Sequence, residues 1–135
     1  MSRKTEYTGR YAISSREYAY ARAYSYKYNE WLEEYNSLKD SVKGISYDAE
    51  GHGSGSVSDS TGSLAARRAE LRNKMLKVEH AAWEAGEDIA KYILIAVTNE
   101  DVTFNVLKQK YKMPVEKTLY YDRRRKYYYL LSKEI

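Results

Sequence analysis

Residues 104–131, FNVLKQKYKMPVEKTLYYDRRRKYYYLL, decide the fold that the sequence predicts for the C-terminal part of the chain. The single proline of the chain, Pro114, separates a short apolar segment from a long basic one. The residue before a proline avoids the α region, whereas proline itself is accommodated in the first turn of a helix. The sequence therefore predicts a short helix that ends near Lys110, a turn at Met113-Pro114 and a last helix from Pro114 to Ser132. This outline is typical of a helix-turn-helix.

The excess positive charge of the chain lies in the same region. Residues 99–135 carry nine Lys and Arg and five Asp and Glu, a net charge of +4, whereas residues 1–62 carry −1 and residues 63–98 carry +1. A local surplus of this kind attracts polyanions. Four consecutive cations, Arg123 to Lys126, are framed by tyrosines, as is typical of a helix that contacts nucleic-acid phosphates.

The spacing assigns different roles to residues along the last helix. Leu119 or Tyr120, Tyr127, and Leu130 or Leu131 can pack inward. The early turns of the second helix of such motifs enter the major groove, and later cations meet phosphates. The candidates for base contacts are Glu116, Lys117, Thr118 and Tyr121, and those for phosphate contacts are Lys110, Lys112, Arg123, Arg124, Arg125 and Lys126. The alternative is a structural helix whose arginines face solvent or pair with Glu116 and Asp122.

The N-terminal part predicts a long helix with a heptad seam. Ser14 and Glu17 have the spacing of a capping box, so a helix should run from Ser15 to Val42. Three-four spacing favours a single stripe that packs in a core or between subunits. That stripe consists of Ala21, Tyr24, Tyr28, Trp31, Tyr35, Leu38 and Val42.

Four segments follow from the rest of the pattern. Residues 1–43 form the Tyr-rich helix, the Gly/Ser-rich residues 44–62 a flexible linker, residues 63–98 a second long helix, and residues 99–135 the helix-turn-helix. Gly86 lies inside the second helix and costs about 1 kcal/mol there relative to alanine, so it predicts a bend or break. Thr98, with Asp101 three residues later, is the predicted N-cap of the short helix. The two long helices should form an antiparallel hairpin or dimerise, which makes the fold all-α.

Composition excludes several classes of function. There are no cysteines and only two histidines, His52 and His80, without a paired ligand spacing, so we expect no metal, no cofactor and no catalysis. The glycine-rich segment lacks the lysine of a P-loop and the acidic spacing of an EF-hand. The N-terminus shows no apolar signal segment, and the longest apolar run, residues 92–97, is too short to span a bilayer. We therefore expect a soluble cytoplasmic protein.

The C-terminal part also resembles a known family. It is similar to phage-encoded late transcription regulators of the RinA/ArpU type, which resemble sigma factor region 4. The residues that carry the resemblance, within residues 89–132, are Tyr92-Ile93-Leu94, Val102 to Leu107, Met113-Pro114 and Tyr120 to Tyr128.

The resemblance implies a regulator in a bacterial host cell that activates late genes through double-stranded promoter DNA and host RNA polymerase. In this family, Lys117, Thr118 and Tyr121 would correspond to the DNA-reading turn, and Arg123, Arg124 and Arg125 to the basic motif. Two other functions stay open. One is a small terminase-like DNA-packaging subunit, and the other is a helical interaction protein that does not bind DNA.

Overall fold

The computed structural model describes residues 5–7, 9–38 and 55–135, most of which are helical. The predicted all-α class is confirmed. Val42 and residues 44–54 of the predicted linker lie outside the described residues. The helices are α1 (Ser15–Tyr26), α2 (residues 28–38), α3 (Gly55–Ala85), α4 (Ala90–Thr98), α5 (Phe104–Gln109) and α6 (Lys117–Glu134).

A small hairpin that the sequence did not predict precedes α1. Strands β1 (Thr5–Tyr7) and β2 (Ile13–Ser14) pair in an antiparallel manner, with a 3-10 turn at Gly9–Tyr11 between them. Gly9 has a φ of 80°, a conformation that glycine adopts at little steric cost. The hairpin is too short to change the fold class.

The beginning of α1 follows the prediction, but its end does not. Ser14 Oγ accepts from the Glu17 amide at 3.1 Å, and the Ser14 amide donates to Glu17 Oε1 at 2.9 Å, so the capping box is confirmed. The predicted continuous helix from Ser15 to Val42 is wrong, because a turn at Lys27 interrupts it. The Ser25 hydroxyl donates to Ala21 O at 2.8 Å, and the Lys27 amide bonds to Tyr24 O, three residues back. Back-bonding of this kind bends helices.

The described residues form two compact units: one consists of those within Met1–Tyr28 and Lys77–Ile135, and the other of those within Asn29–Leu76. These units differ from the four predicted segments, because the first unit joins the N-terminal helix to the C-terminal region. Hydrophobic periodicity reports which face of a helix is covered, but not which helix covers it.

In the unit of residues 29–76, α2 and the first part of α3 pack in an antiparallel arrangement. Arg67 holds both carboxylate oxygens of Glu34, at 2.8 and 3.0 Å. The Arg68 guanidinium lies over the Tyr35 ring at 4.4 Å, and Lys74 Nζ lies 5.5 Å from the centre of the Trp31 ring. Residue numbers on α3 thus fall as those on α2 rise. The hydrogen bond from Arg67 lowers the pKa of Glu34 below its usual value.

The predicted seam of the first long helix is only partly buried. Tyr28 and Trp31 are buried, whereas Tyr24, Tyr35 and Leu38 are half-buried. The Tyr28 hydroxyl donates to the Glu79 carboxylate. The seam therefore contributes to packing within one chain, with Leu71 and Met75 of α3 buried in the unit of residues 29–76.

The second helical segment begins earlier than predicted, but its interruption near Gly86 and its end at Thr98 agree with the prediction. Helix α3 begins at Gly55 rather than at Ser63, so residues 55–62 of the predicted linker are helical. Glycine and serine weaken a helix but do not stop it as proline does, and an existing helix extends more easily than a new one forms. Helix α3 ends at Ala85, and α4 begins after a turn at residues 87–89. The predicted break at Gly86 is confirmed.

Helix α6 supplies much of the buried core in the other unit. Its Tyr120, Tyr127, Tyr128 and Leu131 are buried, and the helix packs on both α1 and α4. The Tyr127 hydroxyl lies 2.7 Å from Ser25 Oγ, whose own proton goes to Ala21 O. Tyr127 is therefore the donor to Ser25. No side chain from Leu119 to Ser132 is fully exposed.

Candidate nucleic-acid interface

Helices α4, α5 and α6 share a small apolar core that fixes the C-terminal turn. Its buried members are Ala96, Leu107, Met113 and Tyr120. The Met113 amide donates to Leu107 O at 3.1 Å, which holds the residue before Pro114 against α5. The turn between α5 and α6 is thus anchored to the core by a buried side chain and a backbone hydrogen bond.

The short helix begins later than predicted. Thr98, the predicted N-cap, ends α4 and donates its hydroxyl to Leu94 O at 2.7 Å. Thr103 is the N-cap of α5, and its hydroxyl accepts from the Val106 amide at 3.3 Å. Either threonine has a side chain suited to an N-cap, but α4 continues to Thr98 and uses its hydroxyl within its own last turn. The predicted end near Lys110 is confirmed.

The last helix also begins later than predicted, at Lys117 rather than at Pro114. Glu116 has extended backbone and occupies the N-cap position without a side-chain capping bond. Its carboxylate pairs with Lys108 Nζ at 3.2 Å, and the same ammonium donates to Val115 O at 3.2 Å. Glu116 therefore braces the turn together with Lys108, although its side chain is 85% exposed.

The turn itself is longer than that of a standard helix-turn-helix. Residues 110–116 connect α5 to α6, whereas the standard turn has three or four residues. Lys112 has a φ of 58°, a left-handed conformation that is uncommon outside glycine. This conformation reverses the chain between Tyr111 and the buried Met113.

Four of the predicted contact residues lie in the turn that leads to α6 and in the first turn of that helix. Lys110 and Lys112 from the turn and Lys117 and Thr118 from the first turn of α6 are all exposed. The N-terminal end of a helix carries a partial positive charge from its unsatisfied amides. We call these four residues the lysine surface.

Tyr121, a predicted base contact, is largely used in packing. It is half-buried, and its ring centre lies 4.8 Å from that of Tyr120 and 6.2 Å from that of Phe104. These contacts leave part of the ring accessible beside the lysine surface. The ring of Tyr121 therefore supports the first turns of α6 through its packing on Tyr120 and Phe104.

The four cations from Arg123 to Lys126 do not face one surface. Successive residues of a helix are rotated by about 100°, and all four are half-buried. Arg124 lies 5.4 Å from the centre of the Tyr128 ring and 6.0 Å from that of Tyr121. Lys126 lines a shallow cavity with Trp83, Glu84, Glu87 and Leu130. Only part of the predicted phosphate-contact set therefore joins the lysine surface.

Arg123 packs against Gly86, where the chain leaves α3. A Cβ placed on Gly86 would lie 2.8 Å from both Cδ and Nε of Arg123. Arg123 Nε is buried without a hydrogen-bond partner, and its terminal Nη1 is 3.4 Å from Asp122 Oδ2. The stem of this arginine thus has a structural role at the end of α3.

The close approach of Arg123 makes Gly86 sensitive to substitution. We expect Gly86→Ala to lower the free energy of unfolding by about 1 kcal/mol, because overpacking outweighs the lower entropy of the unfolded alanine chain. In an Arg123→Ala background the same change should be neutral or stabilising. Urea unfolding of the wild type, the two single variants and the double variant gives the coupling energy between residues 86 and 123. Gly62→Ala is the control. A Cβ at Gly62 meets nothing within 4 Å, so this substitution should stabilise α3. A Gly86→Ala effect that does not depend on residue 123 would contradict this account.

Two cations near the site were missed by the sequence reasoning. Lys108 is not among the predicted contact residues, and nothing in its spacing indicates an ion pair with Glu116. Arg22 lies on α1 and lines a cleft with Arg124. Residues this far apart in the sequence give no local signal of contact, so only the tertiary structure shows the pair.

Other kinds of site are absent from the part of the chain that the structure describes. Within it, no three His, Asp and Glu side chains come together in a way that could hold a metal ion. No helix among the same residues has the length and apolarity needed to cross a membrane. Comparisons with protein-family models, with curated proteins and with solved structures find no match.

Proposed function

We propose that the protein binds double-stranded DNA through the lysine surface. The observation that carries the proposal is that Lys110 and Lys112, in the turn that leads to α6, and Lys117, in the first turn of α6, are all exposed. Three cations beside a helix N-terminus attract phosphates without any base contact. The backbone of the turn is anchored by the buried Met113 and its hydrogen bond to Leu107 O, which reduces the entropy lost on binding.

The residues of the lysine surface divide the work of recognition. Lys117 and Thr118 lie on the first turn of α6, the part of a recognition helix that reaches base edges. Lysine bonds to the O6 and N7 acceptors of guanine, and threonine contacts either polar base edges or the thymine methyl group. Lys110 and Lys112 approach from the turn and hold the phosphate backbone. Glu116 stays with Lys108 and keeps the turn in place.

The biological role we propose is transcription regulation in a phage or prophage. The support is the resemblance to RinA/ArpU-type regulators in residues 89–132, together with the short helix, turn and longer helix that the structure places there. Promoter DNA is then the ligand, and host RNA polymerase is a second partner. A homo-oligomer would place two such surfaces on one DNA duplex.

The test is a measurement of duplex affinity against salt concentration. A Lys110→Gln, Lys112→Gln, Lys117→Gln triple variant should lose about 2.7 units of the slope of log K against log salt, since each phosphate contact contributes about 0.9. Its affinity at low salt should fall by at least about tenfold. The control variant carries Lys27→Gln, Lys91→Gln and Lys133→Gln, three exposed lysines elsewhere in the same compact unit. Both variants lose three positive charges. Equal losses of duplex affinity would therefore show that binding depends on net charge alone, and they would reject the lysine surface as the binding site.

A further inference from the structure

A polar cleft is lined by none of the residues of the lysine surface and has no part in the proposed duplex contact. It has a volume of about 180 Å³ and lies where α1, the end of α4, the start of α5 and α6 meet. Its wall includes Arg22 and Tyr26 of α1, Glu100, Phe104 of α5, and Tyr121 and Arg124 of α6. Two guanidinium groups and four aromatic rings, that of Tyr120 included, thus line one small space.

The two arginines are held in place by aromatic rings. Arg22 lies over the Tyr26 ring at 5.1 Å, and Arg124 lies over the rings of Tyr128 and Tyr121. The charges of both arginines also act on the buried Tyr128 hydroxyl, where they oppose the larger effect of burial, which raises its pKa. Two like charges from different helices therefore converge on one region. An anion in the cleft would relieve their repulsion.

The donor set suits a phosphate group. The guanidinium fork binds phosphate oxygens in a bidentate manner and keeps its charge at every physiological pH. The wall of the cleft contains two arginines and one carboxylate, that of Glu100, so cationic side chains outnumber anionic ones in it. The accessible edges of aromatic rings in the wall suit a planar ring attached to that phosphate.

We propose that this cleft binds a nucleotide-class ligand, a phosphate monoester that carries an aromatic base. The phosphate lies between Arg22 and Arg124, and the base lies against the ring of Tyr121 or Phe104. The cleft is smaller than the 300 to 1,000 Å³ typical of drug-sized ligands, so the sugar stays in solvent. The two sources of this chemistry are a free mononucleotide and the 5′-phosphorylated end of a nucleic-acid strand.

Calorimetric titration with adenosine 5′-monophosphate, adenosine and inorganic phosphate tests the proposal. The monophosphate should bind at least about tenfold more tightly than either adenosine or phosphate alone. A single-stranded oligonucleotide with a 5′-phosphate, compared with the same strand without it, separates the two sources. A preference for the free nucleotide identifies a small effector, and a preference for the phosphorylated strand identifies a strand end. Equal affinity for the monophosphate and for inorganic phosphate would overturn the assignment to the nucleotide class.

Two variants assign the binding to the arginines. Arg22→Gln should weaken monophosphate binding by about tenfold or more, whereas Arg16→Gln, an equal loss of charge at an exposed position of the same helix, should not. Arg124→Lys keeps the charge but removes the fork, and it should also weaken binding. Undiminished binding by Arg22→Gln would overturn the proposal. The triple Lys→Gln variant of the lysine surface should bind the nucleotide normally. Failure of the duplex-binding proposal can therefore be distinguished from failure of the nucleotide-binding proposal.

Discussion

Replacement of Tyr127 by alanine is expected to remove about 3 to 5 kcal/mol from the free energy of unfolding of the unit that contains α6. The Tyr127 side chain is 0% exposed, its ring lies 5.0 Å from that of Tyr128, and its hydroxyl donates to Ser25. Alanine would leave a cavity between α1 and α6 that close-packed neighbours fill only in part. Small domains are stable by about 5 to 15 kcal/mol, so the expected loss is about a fifth or more of the total free energy of unfolding.

The matched control is Tyr127→Phe, which keeps the ring and removes only the hydroxyl. It should cost about 1 kcal/mol, because one buried hydrogen bond is lost while Ser25 keeps its bond to Ala21. Denaturant unfolding followed by circular dichroism measures both variants. If alanine costs no more than phenylalanine, the ring does not join α1 to α6 as the structure indicates.

The second large effect is unfolding in alkali. Burial raises the pKa of Tyr120 to about 12, and it also raises the pKa values of Tyr127 and Tyr128 above the ordinary 10.0. Above pH 10 the unfolded chain loses these three protons while the folded chain keeps them. Stability is therefore fully present below pH 10 and falls as the pH rises toward 12. Each tyrosine that stays neutral only in the folded chain lowers the free energy of unfolding by about 1.4 kcal/mol for each pH unit above 10. While all three stay neutral, the free energy of unfolding falls by about 4 kcal/mol per pH unit.

Alkaline titration can follow this loss by far-ultraviolet circular dichroism and by tyrosinate absorbance in parallel. The helical signal should disappear together with the last fraction of tyrosine ionisation. Tyr128→Phe should move the unfolding midpoint to higher pH, whereas Tyr20→Phe, which alters an exposed ring, should leave it unchanged. A midpoint that is the same for the wild type and Tyr128→Phe would show that buried tyrosine ionisation does not drive the transition.

The sequence predicted the local features best where the signal was carried by neighbouring residues. The capping box at Ser14 and Glu17 needs only three residues of context, and the break at Gly86 needs only the weak helix propensity of glycine. The inward positions of Tyr120 and Tyr127 follow from helical spacing. Each of these features depends on residues that are close together in the sequence, so the sequence alone is enough to predict it.

Other features depend on contacts across the fold. Tyr128 was not assigned to the core, because spacing describes one buried stripe and α6 is covered on more than one side. Arg123 was placed on the phosphate surface, although its stem lies against Gly86, 37 positions earlier in the sequence. The meeting of Arg22 and Arg124 has the same origin. Charge patterning shows where cations are in excess along the chain but does not indicate which of them the fold covers.

The hydrogen bond between Ser25 and Tyr127 joins residues 102 positions apart, and this distance affects how the chain folds during synthesis. Helix α1 leaves the ribosome well before α6 and has to wait for the partner that covers its Ser25 face. Until then its tyrosines are available to other molecules, including chaperones. Long-range closure of this kind also slows folding relative to a simple helical bundle. The segment 99–135, expressed alone, would lack α1 and expose Tyr127 and Tyr128, so it is a poor choice for an isolated DNA-binding fragment.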